Sequence, residues 1–313
     1  MTRREFGRVA VIGGSAAVLG VVRSGAAAVE QPGAAGGQRN NRSLIGGLQF
    51  GLQPFCYHDL AMTPENRSTL VKRLVQNGMG MVELHATWVE PRFTESGVTS
   101  EAAREKLRAW RVGNQADQYR MVKKEFDDAG IEIFTYYVNI NDTYTDAEID
   151  AVFAGAKMLG AKGCVGSQGL EVTRRVARFA GRHGMFLGVH NHDNLSDPDA
   201  VNNEASFVKA LSFSSNVRAT LDTRHFTAAN GDCIGFLQRH HERVSSVHLG
   251  DRRRNNGRST PFGEGDAPLI EVLRVIRDNK WPIVLLLEFE HGTLRPAVEE
   301  VQLMFDYCKR ALS

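Results

Sequence analysis

The chain has 313 residues, of which 42% are hydrophobic and 24% are charged, so it can bury a large core as one barrel-sized domain or two medium ones. Its 38 basic and 36 acidic residues give a formal net charge of +2, which excludes the strong basic field expected of a nucleic-acid or anionic-membrane binder. The four cysteines (Cys56, Cys164, Cys233, Cys308) are far apart and form no CxxC pair, which argues against a zinc ribbon or a small disulfide scaffold.

The first 28 residues have the pattern of a twin-arginine signal peptide. The pair Arg3–Arg4 precedes an apolar run from Val9 to Val22, and the small residues Ala26–Ala28 follow. The apolar run is shorter than the ~20 residues that span a bilayer. We therefore expect export to the periplasm or another extracytoplasmic compartment, with cleavage near Ala28 and no stable membrane insertion afterwards. Residues 29–46 are rich in Gly, Ala and Asn, and we expect a flexible linker there.

From residue 47 onward, short apolar runs alternate with longer segments of helical spacing. The predicted strands are residues 48–54, 79–85, 131–138, 161–166, 185–190, 217–222, 243–249 and 282–288. The predicted helices are residues 64–77, 101–129, 146–159, 170–183, 198–212, 230–241, 267–279 and 295–311. This alternation predicts one (β/α)8 TIM barrel over residues 47–313. An open doubly wound sheet is less favoured, because no glycine-rich phosphate turn follows the first strand.

The ends of the last four predicted strands carry side chains that bind divalent metals. In a parallel barrel these ends meet on one rim, where catalytic groups lie. Imidazoles and carboxylates together bind first-row divalent metals and leave positions open for substrate. The sequence therefore predicts a metal site formed by His190, Asp222, His248 and Glu288. His192 stays an alternative to His190, because side chains two apart on a strand share a face.

Residues 48–312 resemble the xylose-isomerase-like TIM-barrel superfamily, and in particular its sugar phosphate isomerase/epimerase branch. The resemblance rests on Asp222 in its LDT-x-H setting, on His248 and Glu288, and on the glycine-rich stretch Pro261–Asp266. In ketose 3-epimerases of this superfamily, a divalent metal, commonly manganese, is bound by Glu, Asp, His and Glu on the last four strands. The resemblance therefore implies a divalent-metal cofactor, Mn²⁺ first and Zn²⁺, Co²⁺ or Mg²⁺ as alternatives, and a small-molecule sugar or polyol as substrate.

The fifth strand departs from that pattern, because His190 stands where the superfamily has its first Glu. Two glutamates exchange protons with the substrate in ketose 3-epimerases, so this relay is incomplete here. The sequence therefore allows three reactions: epimerisation, isomerisation with a single base, and β-elimination next to a carbonyl group. Glu288 is the first candidate for the catalytic base, with His192 and Glu264 as second candidates.

Five further residues are candidate substrate contacts. The resemblance implies that His225 and Arg254 contact substrate. Trp88 lies in a long segment after the second strand and could stack on a sugar ring, with surface packing as the alternative. Glu83 and His85 end the second strand on one face and could reach substrate, although a buried hydrogen-bonded pair is the competing interpretation.

These observations predict an exported, divalent-metal-dependent sugar isomerase or epimerase that uses enediolate chemistry. A lyase or dehydratase acting on 3-keto sugars or 3-keto glycosides is the alternative enzyme of the same superfamily. A non-catalytic sugar-binding barrel is the alternative outside enzymes. DNA repair, which the related endonuclease IV performs, is disfavoured by the near-neutral charge and the export signal. The sequence leaves open whether the chain forms a homo-oligomer.

Overall fold

Eight parallel strands close into a barrel in the structure, a computed structural model that describes residues 42–93 and 99–313. Each strand pairs with its neighbours in the chain, and the last strand also pairs with the first. The strands are β1 (Leu48–Leu52), β2 (Met81–His85), β3 (Glu132–Tyr137), β4 (Gly163–Gly166), β5 (Phe186–His190), β6 (Val217–Asp222), β7 (Val244–Leu249) and β8 (Val284–Leu287). Each lies within its predicted range, and the (β/α)8 TIM barrel is confirmed.

Helices follow every strand. They are α1 (Arg67–Gln76), α2 (Ser100–Val112), α3 (Ala116–Asp128), α4 (Asp146–Met158), α5 (Leu170–His183), α6 (Glu204–Ser212), α7 (Thr223–Ala228), α8 (Cys233–His240), α9 (Leu269–Asp278) and α10 (Ala297–Leu312). Among these described helices, we find none with the length and apolar character needed to cross a bilayer.

Two helix predictions were wrong in part, and one short helix was missed. The helix predicted over 101–129 is two helices, because the chain leaves helical geometry after Val112 and re-enters it at Ala116. The helix predicted from residue 198 begins at Glu204, where Asn203 and Ser206 form a capping box. The short helix α7 was not predicted at all, and it begins directly after the candidate ligand Asp222.

The predicted signal peptide (residues 1–28) lies outside the described residues, as does most of the predicted linker. At the end of that linker, Leu44 and Ile45 form a short strand that pairs antiparallel with the start of β1. Ordered pairing therefore begins before residue 47, where the sequence analysis starts the barrel.

The inner face of the barrel changes from apolar to polar along the strands. Near the amino ends, a small buried cluster contains Met81 and Leu286, with Phe186 packed against it. Side chains two apart on a strand share a face, so Met81 is followed on the inner face by Glu83, and Leu286 by Glu288. Phe186 is followed in the same way by Gly188 and then by a histidine. This alternation places titratable side chains at the carboxyl end of the barrel above an apolar floor.

Candidate active site

Four buried side chains converge at the carboxyl ends of β5 to β8. His190 ends β5, Asp222 ends β6, His248 lies in β7, and Glu288 directly follows β8. Their ligand atoms all lie within 4.8 Å of one another, with His190 Nε2 at 3.3 Å from Asp222 Oδ2 and His248 Nδ1 at 2.7 Å from Glu288 Oε2. We call these four residues the tetrad. The sequence prediction and the structure agree on this grouping.

The tetrad fits a divalent metal. Two imidazoles and two carboxylates are a donor set that zinc, manganese and related cations accept. His190 Nε2 is buried and has no hydrogen-bond partner among the described residues, although it points at Asp222. A buried polar atom without a partner is costly unless a ligand satisfies it. The tetrad could therefore hold a metal ion.

His248 lies between two carboxylates. Its Nε2 is 3.0 Å from Glu83 Oε1, and the other oxygen of Glu83 accepts a hydrogen bond from Thr135 at 2.7 Å. Burial alone would lower the pKa of His248, but Glu83 and Glu288 outweigh burial and raise that pKa to about 10. Glu83 thus contacts the tetrad through His248, whereas the sequence analysis considered it as a substrate contact or as a buried partner of His85. Glu83 is placed to orient the His248 imidazole through Nε2, and this leaves Nδ1 as the nitrogen on the side of Glu288.

The sequence analysis missed Arg224, which is buried inside the site with 1% of its side chain exposed. Its Nη2 lies 2.6 Å from Asp222 Oδ2 and 3.0 Å from Glu288 Oε2, and its Nη1 lies 2.9 Å from Glu290 Oε2. Burial raises the pKa of Glu288, but Arg224 and His248 outweigh it and lower that pKa to about 2. The sequence feature that indicates this arginine is its position two residues after Asp222, the carboxylate at the end of β6.

The backbone at the start of α7 fixes the orientation of Asp222. Asp222 Oδ1 accepts hydrogen bonds from the backbone N–H groups of Arg224, at 2.7 Å, and His225, at 3.0 Å. This is an N-cap, which satisfies donors that a helix leaves free. Because Oδ1 is used in this way, Oδ2 is the oxygen that faces His190 and Arg224.

A second polar cluster lies beside the tetrad. His225 Nδ1 is 2.9 Å from Asp193 Oδ1, and Arg252 Nη1 is 2.9 Å from Asp193 Oδ2. We call Asp193, His225 and Arg252 the rim cluster. His225 Nε2 is buried and has no hydrogen-bond partner among the described residues, so it is available to a ligand. His225, a predicted substrate contact, thus presents this unpaired ring nitrogen beside the tetrad.

The arginine that reaches the rim cluster is Arg252, not the predicted Arg254. The chain forms a short ribbon in which Asp251–Arg252 pairs with Ser259–Thr260, and Arg252 is half-buried there. Arg254 lies exposed on the turn of that ribbon, where its backbone N–H donates to Asp266. The spacing from His248 alone could not show which arginine of the run turns inward.

Ser167 joins the tetrad to the other histidine of the HNH run. Its Oγ lies 3.2 Å from His190 Nδ1, 3.0 Å from His192 Nε2 and 2.7 Å from the hydroxyl of Tyr137. The contact with His190 Nδ1 leaves His190 Nε2 as the nitrogen that faces Asp222. His192 lies at the mouth of the barrel with one part of its side chain exposed, and partial desolvation of the ring together with the neighbouring histidines lowers its pKa to about 4. The structure therefore assigns His190, rather than His192, to the tetrad.

Three other predicted site residues lie away from the tetrad. Trp88 is fully buried in a 3-10 turn and packs in the core, so it is not available to stack on a sugar. His85 stacks on Tyr137 with ring centroids 5.0 Å apart, at the mouth of the barrel, and burial lowers its pKa to about 4. Glu264 is exposed, in a loop whose backbone N–H groups donate to Asp251.

Two polar cavities flank the mouth. One of about 500 Å³ is lined by residues that include Asp193, Asn194, Asn230, Asn255 and Asn256. The other, of about 310 Å³, is lined by residues that include Ser167 and His192. Carboxamides both donate and accept hydrogen bonds, which suits a ligand rich in hydroxyl groups. Both volumes fall in the range of small-molecule sites.

The comparisons with known proteins agree with this barrel. Residues 167–309 match the family model described as xylose isomerase-like TIM barrel. All four tetrad residues lie in the matched part of the chain. No curated protein matches the chain at a significant level.

Solved structures match along most of the chain. A xylose isomerase domain protein from Alicyclobacillus acidocaldarius is 16% identical, with a TM-score of 0.64 over 85% of this chain and 98% of that one. A D-psicose 3-epimerase from Clostridium cellulolyticum is 14% identical, with a TM-score of 0.61 over 85% and 100%. A probable 3-DHS dehydratase from Bacillus anthracis is 13% identical, with a TM-score of 0.60 over 83% and 98%. At these identities the similarity shows the fold and does not assign a reaction.

Proposed function

We propose that this protein is a divalent-metal-dependent isomerase or epimerase of a sugar or polyol-like substrate, which moves a proton at a carbon next to a carbonyl group of that substrate. The observation that carries the proposal is the convergence of the tetrad at the carboxyl end of a barrel, where TIM-barrel enzymes have their active sites. The family match over residues 167–309 supports the same class of chemistry.

The tetrad would hold the metal, for which Mn²⁺ is the first candidate and Zn²⁺, Co²⁺ and Mg²⁺ are alternatives. When bound, such a cation would stabilise the negative charge that develops on adjacent substrate oxygens as a C–H proton leaves. Glu83 keeps the His248 ring in place from the opposite side. His190 is held through Ser167, so both imidazoles are oriented before a cation arrives.

His192 is the best-placed base among the three candidates. Glu264 is exposed on a separate loop. Glu288 is paired with two cationic groups, and its pKa of about 2 makes it a weak base. The pKa of His192, about 4, is closer to neutral pH, and a base is more effective as its pKa approaches the operating pH. With Nε2–H donated to Ser167, Nδ1 of His192 carries the lone pair that accepts the proton.

The rim cluster would bind the substrate hydroxyl groups. Asp193 accepts a hydrogen bond from His225 Nδ1, which leaves His225 Nε2 as an acceptor for a hydroxyl. Arg252 neutralises Asp193 and adds a donor at the edge of the larger cavity. The carboxamides that line this cavity support a polyhydroxylated ligand.

Elimination from a 3-keto sugar or 3-keto glycoside is the second candidate reaction. Two observations favour it. His190 stands where the superfamily has its first glutamate, so a two-carboxylate proton relay is incomplete. The cavity of about 500 Å³ beside the rim cluster also offers room for a group attached to the sugar. A non-catalytic sugar-binding barrel is the alternative outside enzymes.

The compartment and the partners are part of the proposal. The amino-terminal pattern supports twin-arginine export and a periplasmic or other extracytoplasmic location, which would expose the enzyme to extracellular sugars and glycosides. The formal net charge of +2 gives no support for a nucleic-acid partner. Self-association into a homo-oligomer remains open.

The test is a carbohydrate panel, including 3-keto glycosides, incubated with the purified protein and Mn²⁺ in D₂O and followed by NMR. Deuterium at one carbon together with an isomeric or epimeric product is the expected result. Release of the aglycone from a 3-keto glycoside would instead support the second candidate. Binding without deuterium exchange or product would contradict both and leave a sugar-binding barrel. The metal-free protein is the control in each case.

A further inference from the structure

Arg224 is a buried cation among side chains that would bind another cation. Its Nη2 contacts Asp222 Oδ2 at 2.6 Å and Glu288 Oε2 at 3.0 Å. These are the oxygens that face the histidines of the tetrad, at 3.3 Å from His190 Nε2 and 2.7 Å from His248 Nδ1. A divalent cation in the tetrad and the Arg224 guanidinium would therefore share the same two carboxylate oxygens.

The guanidinium has a second set of contacts that points outward. Its Nη1 is 2.9 Å from Glu290 Oε2, and the side chain of Glu290 is 32% exposed. Glu290 is not in the tetrad. The guanidinium can therefore lose its contact with Asp222 and Glu288 and still keep a carboxylate partner at the mouth of the barrel.

The protein is packed to hold Arg224 in this place. A Cβ atom on Gly250, at the end of β7, would overlap the Cγ and Cδ atoms of Arg224. Gly250 therefore leaves the space through which the arginine stem passes. The Nε atom of Arg224 is buried and has no hydrogen-bond partner among the described residues. Packing therefore fixes the stem of Arg224, whereas its contacts with carboxylates hold the head group.

We propose that Arg224 is a built-in counter-ion that sets the affinity of the tetrad for divalent cations. In the cation-free protein it holds Asp222 and Glu288 in their ligating positions and offsets their charge. A cation in the tetrad would share these carboxylates with the guanidinium, which would keep Glu290 as a partner, and the positive charge of Arg224 would weaken the binding of the cation. This inference rests on the proposed function, because it takes the tetrad to be a metal site.

The sign of the effect follows from charge. The carboxylates of Glu83, Asp222, Glu288 and Glu290 surround the site, and Arg224 is the permanent cation among them. Removal of one positive charge a few ångströms from a divalent cation strengthens cation binding, because the effective dielectric constant inside a protein is low. Loss of preorganisation opposes this gain. We expect the loss of electrostatic repulsion to outweigh the loss of preorganisation, so that the affinity for a divalent cation rises by about tenfold or more.

The experiment measures Mn²⁺ binding to the full chain, freed of metal by a chelator, by titration calorimetry and by the EPR signal of free Mn²⁺. Arg224→Met keeps the length of the stem and removes the charge, and Arg224→Lys is the matched variant that keeps the charge. We expect Arg224→Met to bind Mn²⁺ about tenfold more tightly or better, and Arg224→Lys to stay within about threefold of the wild type. We also expect metal-free Arg224→Met to melt at a lower temperature and to gain more from added Mn²⁺.

Equal or weaker Mn²⁺ binding by Arg224→Met would overturn the counter-ion role while leaving the metal site intact. If neither the wild type nor any variant binds Mn²⁺, the metal site of the proposed function fails, and this inference fails with it. Should Arg224→Met not fold, Glu290→Gln provides the test, because it removes the outward partner. We expect Glu290→Gln to bind Mn²⁺ about threefold more weakly or worse, whereas Glu264→Gln, a matched exposed acid, stays unchanged. Unchanged binding by Glu290→Gln would overturn the proposal.

Discussion

The chemical role of a side chain in this site depends more on the charged groups around it than on its residue type. Glu288 is a carboxylate between Arg224 and His248, so it stays ionised and is better suited to bind a cation than to accept a proton. His192 is exposed at the mouth, where a substrate can reach it. The sequence put Glu288 first as the base, and the contacts of these two residues reverse that order in the proposed mechanism.

This division of roles predicts different losses in two variants. We expect Glu288→Gln to bind Mn²⁺ far more weakly and to lose activity as a result. Removal of a residue that only orients a metal ligand typically lowers metal affinity by about 10–100-fold, and the loss for Glu288→Gln should be larger. We expect His192→Gln to keep Mn²⁺ affinity within a few-fold and to slow deuterium exchange by about 100-fold or more. Metal content by elemental analysis and exchange by NMR separate the two effects. Full activity of Glu288→Gln with metal bound would contradict its assignment as a ligand.

The buried charges also predict how the stability of the metal-free protein depends on pH. The pKa of His248 is raised to about 10, so its stabilising contribution is complete below the ordinary value near 6.5 and declines as the pH rises toward 10. The pKa values of Asp222 and Glu288 are lowered, so their contribution is present above about pH 4.5 and is lost as the pH falls toward 2.

We therefore expect the metal-free protein to be most stable near pH 6.5, because the lowered pKa values of His85 and His192 reduce stability as the pH falls below that value. Between pH 6.5 and 8.5 it should lose up to about 1.4 kcal/mol per pH unit. Saturating Mn²⁺ should reduce this decline, because metal binding displaces a proton from His248. Thermal unfolding across this range, with chelator and with Mn²⁺, measures both curves, and His248→Gln is the control. A melting temperature of the metal-free protein that rises from pH 6.5 to 8.5 would contradict the account.

At the scale of elements, the junction between β6, α7 and the end of β7 organises the site. Asp222 ends β6 and caps α7, and this cap brings Arg224 and His225 to the same rim. Gly250, just beyond β7, gives Arg224 its space. Helix α7 therefore positions both Arg224 and His225 in the site, directly after the end of β6.

This junction makes Gly250 a sensitive position. We expect Gly250→Ala to displace the stem of Arg224 and to lower the free energy of unfolding by about 1–3 kcal/mol, as overpacking does in a filled core. Gly292→Ala is the matched control, because a Cβ atom there meets no other atom within 4 Å. Denaturant unfolding of both variants measures the difference. Equal stability of the two variants would show that Arg224 is free to move aside at no cost.

For the whole molecule, the barrel was predictable because each strand is a short apolar run that ends in polar residues. The alternation of strands and helices therefore located every strand and placed the tetrad on one rim. The same reasoning could not place Asp193, Arg252 or Ser167, because their contacts join different strands and depend on how the intervening loops fold back. Arg224 follows Asp222 by two residues, but an arginine at that spacing does not by itself show that the side chain turns into the site. Trp88 was misplaced for the related reason that its segment turns into the core as a 3-10 turn.

Export is a property of the whole chain that stays a prediction. The twin-arginine pattern lies in residues 1–28, outside the part that the structure describes. An extracytoplasmic location would make exogenous glycosides accessible to the enzyme, which would favour elimination over isomerisation as the reaction. The predicted cleavage near Ala28 is checked by the mass of the protein recovered from the periplasm of an expressing bacterium.

The proposed function requires the tetrad to bind one divalent cation. Anomalous diffraction from a crystal soaked in Mn²⁺ tests it most directly. We predict a single strong peak within about 2.0–2.4 Å of one atom from each of His190, Asp222, His248 and Glu288. A peak between His192, Asp193 and His225 instead, or no peak within reach of the tetrad at saturating Mn²⁺, would contradict the account.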